Sequence, residues 1–258
     1  MTTGIAGRVA VVTGAAGGIG AAVTRALAAH GAIVAALDVD GSGVEKVAAE
    51  LPEGVGHGYR VDVRDAAAVD AAVTRIEDEL GPVRILVTVA GILRTGPFTG
   101  STTADWHEVF AVNLHGVVHC CRAVAGRMVA RRSGVIVTVG SNAAGVPRMD
   151  MAAYAASKAA VAHFVRCLGL ELAGFGIRCN VVAPGSTDTP MQRSMWACDA
   201  DAAAVVEGSL SRYKVGIPLG RLAHPCDVAD AVVFLASEQA RHITMQQLYV
   251  DGGAALRD

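Results

Sequence analysis

Tyr154-Ala155-Ala156-Ser157-Lys158 places a phenol and an ammonium four residues apart, on one face wherever this segment is helical. A free phenol titrates at about 10, and a neighbouring cation lowers that value by favouring the phenolate. A tyrosine so poised can take the proton of an alcohol while a hydride leaves the carbon. The lysine is the more informative partner. Of the 22 lysines and arginines only Lys46, Lys158 and Lys214 are lysine, so a position needing just a surface cation would more often hold arginine.

A second chemistry sits near the start of the chain. Thr13-Gly14-Ala15-Ala16-Gly17-Gly18-Ile19-Gly20 lies between an apolar run and an alanine-rich stretch. Glycines there let the backbone turn tightly and approach a pyrophosphate, while the following helix offers free N–H donors. Asp38 comes 18 residues after Gly20, where its carboxylate can accept hydrogen bonds from an adenosine ribose and repel a 2′-phosphate. No lysine or arginine occurs at 15–18 or 38–44, so NAD is expected over NADP. The alternative for Asp38 is an N-cap on a helix beginning near Gly41.

The elements needed to bring these groups together are legible as an alternation. Apolar runs at 8–13, 33–37, 58–61, 85–87, 135–139, 177–182 and 247–250 read as strands. Between them, helical spacing runs from the glycine loop to His30, to about Leu51, and over 69–80, 106–131, 154–175 and 226–236. Strands separated by helices of this length pair in parallel through right-handed crossovers. The expected fold is α/β: one Rossmann-like domain over 1–258, a doubly wound parallel sheet with helices on both faces. Residues 187–215 are more polar and irregular.

Composition narrows the classes. With 258 residues, 52% hydrophobic and 18% charged, the chain can fill a full core. A net charge of -2 excludes a basic nucleic-acid or anionic-membrane footprint. The longest stretch without a charged side chain, Val9–Thr24, has 16 residues and is glycine-rich, so no membrane span is expected. The N-terminus has no export-signal pattern, which points to the cytoplasm. Cys120, Cys121, Cys167, Cys179, Cys198 and Cys226 form no C-x-x-C pair and read as buried reduced thiols. His115 and His119 share a helical face but lack a third ligand nearby, so no metal is expected.

Ser141 follows the apolar strand 135–139 at its carboxyl end, and Asn113 lies in the long helix before it. With the glycine loop and the Tyr–Lys pair, this set resembles the short-chain dehydrogenase/reductase family over essentially the whole chain. The resemblance implies a catalytic set of Asn113, Ser141, Tyr154 and Lys158. Tyr154 would be the acid/base and Ser141 would orient the substrate hydroxyl. Lys158 would hold the nicotinamide ribose and lower the tyrosine pKa, and Asn113 would support a water in the proton relay. It also implies a cofactor site of Gly14, Gly18, Ile19, Gly20, Asp38, Asp62, Val63, Ala90 and Gly91 with Tyr154, Lys158, Pro184, Gly185, Thr187 and Thr189. The family's Asn-Asn-Ala-Gly is here Thr88-Val89-Ala90-Gly91, so the asparagine side-chain hydrogen bonds, and the local rigidity they bring, are not expected.

Three segments, 141–148, 184–192 and 242–245, resemble the 2,3-dihydro-2,3-dihydroxybenzoate dehydrogenases within this family, and 194–196 and 216–219 extend the likeness. An anionic cyclohexadiene carboxylate bearing a ring alcohol is therefore the expected substrate, oxidised to an aromatic acid for a siderophore. Arg148 could clamp its carboxylate bidentately, or be an ordinary loop arginine. Met191, Gln192, Met195 and Trp196 would form a lid within 187–215, or an interface or core cluster. Two other readings stay open: oxidation of trans-2,3-dihydro-3-hydroxyanthranilate in secondary metabolism, and a non-catalytic NAD-binding sensor. The resemblance further implies a homotetramer joined through the helices near 106–131 and 154–175.

Overall fold

The computed structural model describes residues 4–195 and 200–256. Its first strand, β1 (Val9–Thr13), is buried throughout and sends alternate side chains to opposite faces. Val9 and Val11 enter one core, and Ala10 and Val12 the other. A strand with no polar face must be covered twice, and this is the period-2 geometry of a sheet clothed on both sides.

The chain then alternates through α1 (Gly18–Ala29), β2 (Ile33–Asp38), α2 (Gly41–Ala49), β3 (Gly56–Arg60), α3 (Ala66–Leu80) and β4 (Val83–Thr88). Asp40 caps α2 by accepting from Gly43 N, and Asp65 caps α3 through Ala67 N and Ala68 N. The second half begins with α4 (Thr103–Phe110), a π turn over Ala111–His115 and α5 (Gly116–Arg131). There follow β5 (Gly134–Val139), α6 (Ala152–Ala173) and β6 (Ile177–Pro184). The segment expected to be irregular contains α7 (Pro190–Arg193), α8 (Ala200–Glu207) and a small antiparallel hairpin of β7 (Gly208–Ser209) with β8 (Lys214–Val215). Helix α9 (Pro225–Ala236) and strand β9 (Gln247–Val250) close the order.

Seven strands form one parallel sheet in the order β3-β2-β1-β4-β5-β6-β9. Residues of α3, α5 and α6 pack into the core on one face, and those of α1, α2 and α9 on the other. The winding reverses between β1 and β4, so the loops after these two strands diverge and leave a crevice at the carboxyl edge. The 103–131 run is long and apolar enough to cross a membrane by length and composition. Its Val117, Cys120, Cys121, Val124 and Met128 are instead buried in the core, which accounts for the apolarity.

Two expectations are corrected. Cys120, Cys121 and Cys179 are buried thiols, but Cys167 and Cys226 are exposed, because each falls on an outward helical position; Cys198 lies outside the described residues. The stretch that replaces the family's asparagines lacks the asparagine bonds, as expected, but the loss of local rigidity expected with them is offset by threonines. Thr88 Oγ1 bonds Thr138 Oγ1 at 2.9 Å across β4 and β5, and Thr13 Oγ1 accepts from Val89 N at 3.0 Å and Ala90 N at 3.2 Å. Threonines on neighbouring strands thus pin the turn after β4.

Thr13→Val keeps the shape of this buried side chain and removes the oxygen, stranding two backbone donors. Urea unfolding is expected to show a loss of about 1–3 kcal/mol, with Thr13→Ser losing less. Equal stability of Thr13→Val and the parent would show that these donors are satisfied elsewhere.

Candidate active site

The crevice at the switch point has a volume of about 1170 Å³, room for a dinucleotide and a small second molecule together. At one end the turn after β1 depends on two glycines. Gly14 has φ +67°, and a Cβ there would lie 2.7 Å from Ala90 N; a Cβ on Gly20 would overlap the carbonyl oxygen of Gly14. The turn delivers α1 with Gly17 as its N-cap, no capping side chain and no acidic residue in the first turn. A cradle this close, ending in uncapped helical N–H groups, suits a pyrophosphate. Gly18 and Ile19 line it, and Thr189 stands across from Gly18, its Cγ2 3.4 Å from where a Cβ would be.

Asp38 lines the same end. Its Oδ2 accepts from Ala16 N and its Oδ1 from Asp40 N, both at 3.0 Å, so the carboxylate is aimed by the backbone and each oxygen keeps accepting capacity. The N-cap of α2 is Asp40, which removes the alternative for Asp38. Asp62 and Val63 line the crevice beyond it, with Asp62 held by Arg64 at 2.6 Å. No basic side chain from the glycine turn or from 38–44 faces the ribose position. The residues therefore fit a dinucleotide with a free 2′-hydroxyl.

Deeper in, Lys158 is 5% exposed and donates from Nζ to the carbonyl of Val139 at 3.1 Å. Its Nζ lies 5.7 Å from the centroid of the Tyr154 ring. A Cβ on Gly91 would be 3.5 Å from this Nζ and 3.4 Å from Asn113 Oδ1, so the backbone after β4 lies against both. Burial pushes the Lys158 ammonium down to about 8. Burial also pushes the Tyr154 phenol above its ordinary value, against a hydrogen bond with Ser141 that pulls it down. The tyrosine is therefore not set low as expected: removal from water disfavours both charged forms, and the group that pulls the phenol down is Ser141. Ser141 itself is aimed by Ala143 N, which donates to its Oγ at 3.1 Å.

Asn113 is the candidate that does not reach the crevice. Within the π turn its Oδ1 accepts from Ile92 N at 2.8 Å, and its Nδ2 donates to Ile92 O at 3.0 Å and Ser157 Oγ at 3.1 Å. Both amide hydrogens are engaged, so the side chain braces the loop after β4 against α6; support of a water by this side chain is not what the geometry provides. Ser157, the link in that brace, lay inside the Tyr–Lys motif and carried no chemical signal of its own.

Ala90, Pro184, Gly185 and Thr187 line the middle of the crevice. Arg148, Met191, Gln192 and Met195 line the end formed by the loop after β5 and the segment after β6; Trp196 lies outside the described residues. Met191 and Met195 are 38% and 39% exposed, which excludes the core-cluster reading. Arg148 is half-buried with no hydrogen bond or ion pair among the described residues, and burial lowers its pKa against the influence of Asp251. Arg212 and Lys214 share this end, and sequence reasoning missed both. The signal was present for Lys214, which is as rare by type as Lys158. Among the described residues no group of three or more His, Cys, Asp or Glu is placed to hold a metal; His119 Nδ1 lies 2.9 Å from Val63 O.

A phenol beside a buried ammonium, at the switch point of a sheet that cradles a dinucleotide, defines a dinucleotide-dependent oxidoreductase of the alcohol–ketone class. A family described as enoyl-(acyl carrier protein) reductase matches residues 14–255. The 2,3-dihydro-2,3-dihydroxybenzoate dehydrogenase of Bacillus subtilis is 55% identical over 255 residues, covering 98% of each chain. Its Escherichia coli namesake is 42% identical over 95% of this chain and 96% of its own. A 3-ketoacyl-(acyl-carrier-protein) reductase from Brucella melitensis, solved with NADH, superposes with a TM-score of 0.87 at 33% identity, over 97% of this chain and 99% of that one. The chain belongs to the short-chain dehydrogenase/reductase family.

The lysine supplies a pH test. Its folded value of about 8 lies below 10.5, so above pH 8 the unfolded chain binds the extra proton and this group's contribution to stability rises with pH until the unfolded lysine also titrates. Relative to Lys158→Met, the parent is expected to gain about 3 kcal/mol in urea unfolding across that window. A difference that does not change with pH would place the ammonium in water.

Proposed function

We propose that this enzyme oxidises 2,3-dihydro-2,3-dihydroxybenzoate to 2,3-dihydroxybenzoate with NAD, a step in making the catechol unit of a siderophore. The support is chemical and comparative together. The Tyr154–Lys158 pair with Ser141 is suited to a secondary alcohol, and two relatives carrying that substrate in their names align over nearly the whole chain. The single observation that carries the reading is the buried ammonium of Lys158 5.7 Å from the Tyr154 ring at the floor of the crevice.

The turn of Gly14, Gly18, Ile19 and Gly20 would hold the pyrophosphate and Asp38 the adenosine ribose, with Asp62 and Val63 toward adenine and Ala90, Gly91, Pro184, Gly185, Thr187 and Thr189 toward the nicotinamide. NAD bound there supplies the acceptor for the hydride that leaves the ring carbon. Tyr154 Oη takes the hydroxyl proton of the same carbon, with Ser141 Oγ orienting that hydroxyl. Lys158 steadies the negative charge arising on the phenol oxygen and would hold the nicotinamide ribose. Asn113 acts at a distance, holding Ile92 and Ser157 in place. One C–H and one O–H bond break, two electrons leave with the hydride, and the resulting ketone tautomerises to an aromatic ring, which makes the overall step one-way.

Arg148 receives the carboxylate, and Met191, Gln192 and Met195 cover the ring as part of a lid over 187–215 on a single catalytic domain. The protein works in the cytoplasm as a homotetramer joined through the long helices at 103–131 and 152–173, a placement that Leu170, 70% exposed on α6, favours.

Purified protein with NAD and the dihydrodiol acid is expected to generate absorbance at 340 nm. Tyr154→Phe is expected to bind NAD normally and lose at least about a hundredfold in turnover. Near-normal turnover of that variant removes Tyr154 from the mechanism, and a parent protein that binds NAD without turnover on any cyclohexadienol acid is a sensor. Asp38→Ala is expected to raise kcat/KM with NADP relative to NAD; an unchanged ratio contradicts the ribose contact.

A further inference from the structure

Three cations line the crevice near one another: Arg148, Arg212 and Lys214, the last feeling the charges of the other two. One is already occupied. Arg212 Nη2 lies 2.6 Å from Asp150 Oδ2, and the Asp150 carbonyl accepts from Gly96 N at 2.9 Å, so this ion pair ties the β7–β8 hairpin to the loop that carries Arg148. The other two make no hydrogen bond or ion pair among the described residues. Both are part-buried, and both are held below their ordinary pKa, Lys214 by burial and then by the charges of Arg148 and Arg212. The counter-charge nearest Arg148, Asp251, is engaged elsewhere, by Asn142 Nδ2 at 3.1 Å and Gly253 N at 3.0 Å.

Two like charges, part-buried in one crevice and close enough that Arg148 helps to lower the Lys214 pKa, disfavour each other. A ligand that brings a negative charge between them relieves both at once. We propose that Lys214 is a second carboxylate-binding residue, meeting Arg148 across the acid group of the substrate. The proposal rests on the reading that the substrate is a cyclohexadiene carboxylate. A carboxylate presents two oxygens, one pair of lone pairs to the planar guanidinium fork and the remainder to an ammonium. Because Lys214 sits on the hairpin and Arg148 on the loop after β5, the acid group joins the lid segment to the catalytic strand. The same pair of charges selects against a ring that bears an ammonium beside its carboxylate, and so favours the diol acid over its amino counterpart.

The test is calorimetric titration of the full-length protein, with NAD present, using 2,3-dihydroxybenzoate and catechol, which differ only by the carboxylate. The parent is expected to bind the acid at least about tenfold more tightly than catechol. Lys214→Met is expected to lose about ten- to a hundredfold on the acid and nothing on catechol, with Lys214→Arg recovering most of the loss. Acid binding unchanged in Lys214→Met, equal losses on both ligands, or a parent with no preference for the acid would each overturn the proposal. Oxidation of the dihydrodiol acid is assayed alongside. If the parent binds the acid and loses it with Lys214→Met, yet oxidises no dihydrodiol, the reaction assignment fails and the carboxylate site stands.

Discussion

Keeping an ammonium charged with almost no water around it is the constraint on which the rest of the site depends. Burial pushes Lys158 down to about 8, and among the described residues its side chain donates to the Val139 carbonyl. Such a charge persists where the surrounding structure prevents escape. That is the effect of the close backbone at Gly91, the Asn113 brace on Ile92 and the buried Ser157 and Val161 of α6. The fold bears a standing cost at this point, and in the proposed reaction a phenol oxygen gaining negative charge would turn that cost into catalysis.

The sheet makes that placement possible. Parallel strands with both faces covered leave only their ends for ligands, and the reversal of winding between β1 and β4 opens the carboxyl end. From there the parts are supplied by different strands: the glycine turn after β1, Asp38 at the end of β2, Gly91 after β4, Ser141 after β5 and Thr187 after β6. None of them needs a flexible connection to reach the others. The other end is built differently, from the loop after β5 and from a short helix and a hairpin in the segment after β6, and its charges are left partly unmatched.

Much of this was legible because it follows from local rules. Apolar runs between helical spacing marked all seven sheet strands, and the Tyr–Lys spacing on a helix located the floor of the site. Element ends were misread where capping decided them: α3 starts three residues before the apolar pattern because Asp65 caps it, and β6 runs on to Pro184 through its pairing with β9. What escaped were relations between segments distant in sequence. Thr13 holding the turn after β4 spans 76 residues, and the Arg212–Asp150 pair spans 62. The effect of burial on Tyr154 escaped for the same reason, since no motif states how dry its surroundings are. Lys214 was different, because its rarity by type was visible and it lacked only a partner to make sense of it.

A crystal structure of the protein with NAD and 2,3-dihydroxybenzoate would settle whether the phenol and the ammonium act together on the reacting carbon. The expected result has Tyr154 Oη and Ser141 Oγ within hydrogen-bond distance of the same ring oxygen, Lys158 Nζ on the nicotinamide ribose, and the carboxylate turned toward Arg148. A ring bound with its oxygens away from Tyr154, or a Lys158 ammonium paired outside the crevice, would contradict it.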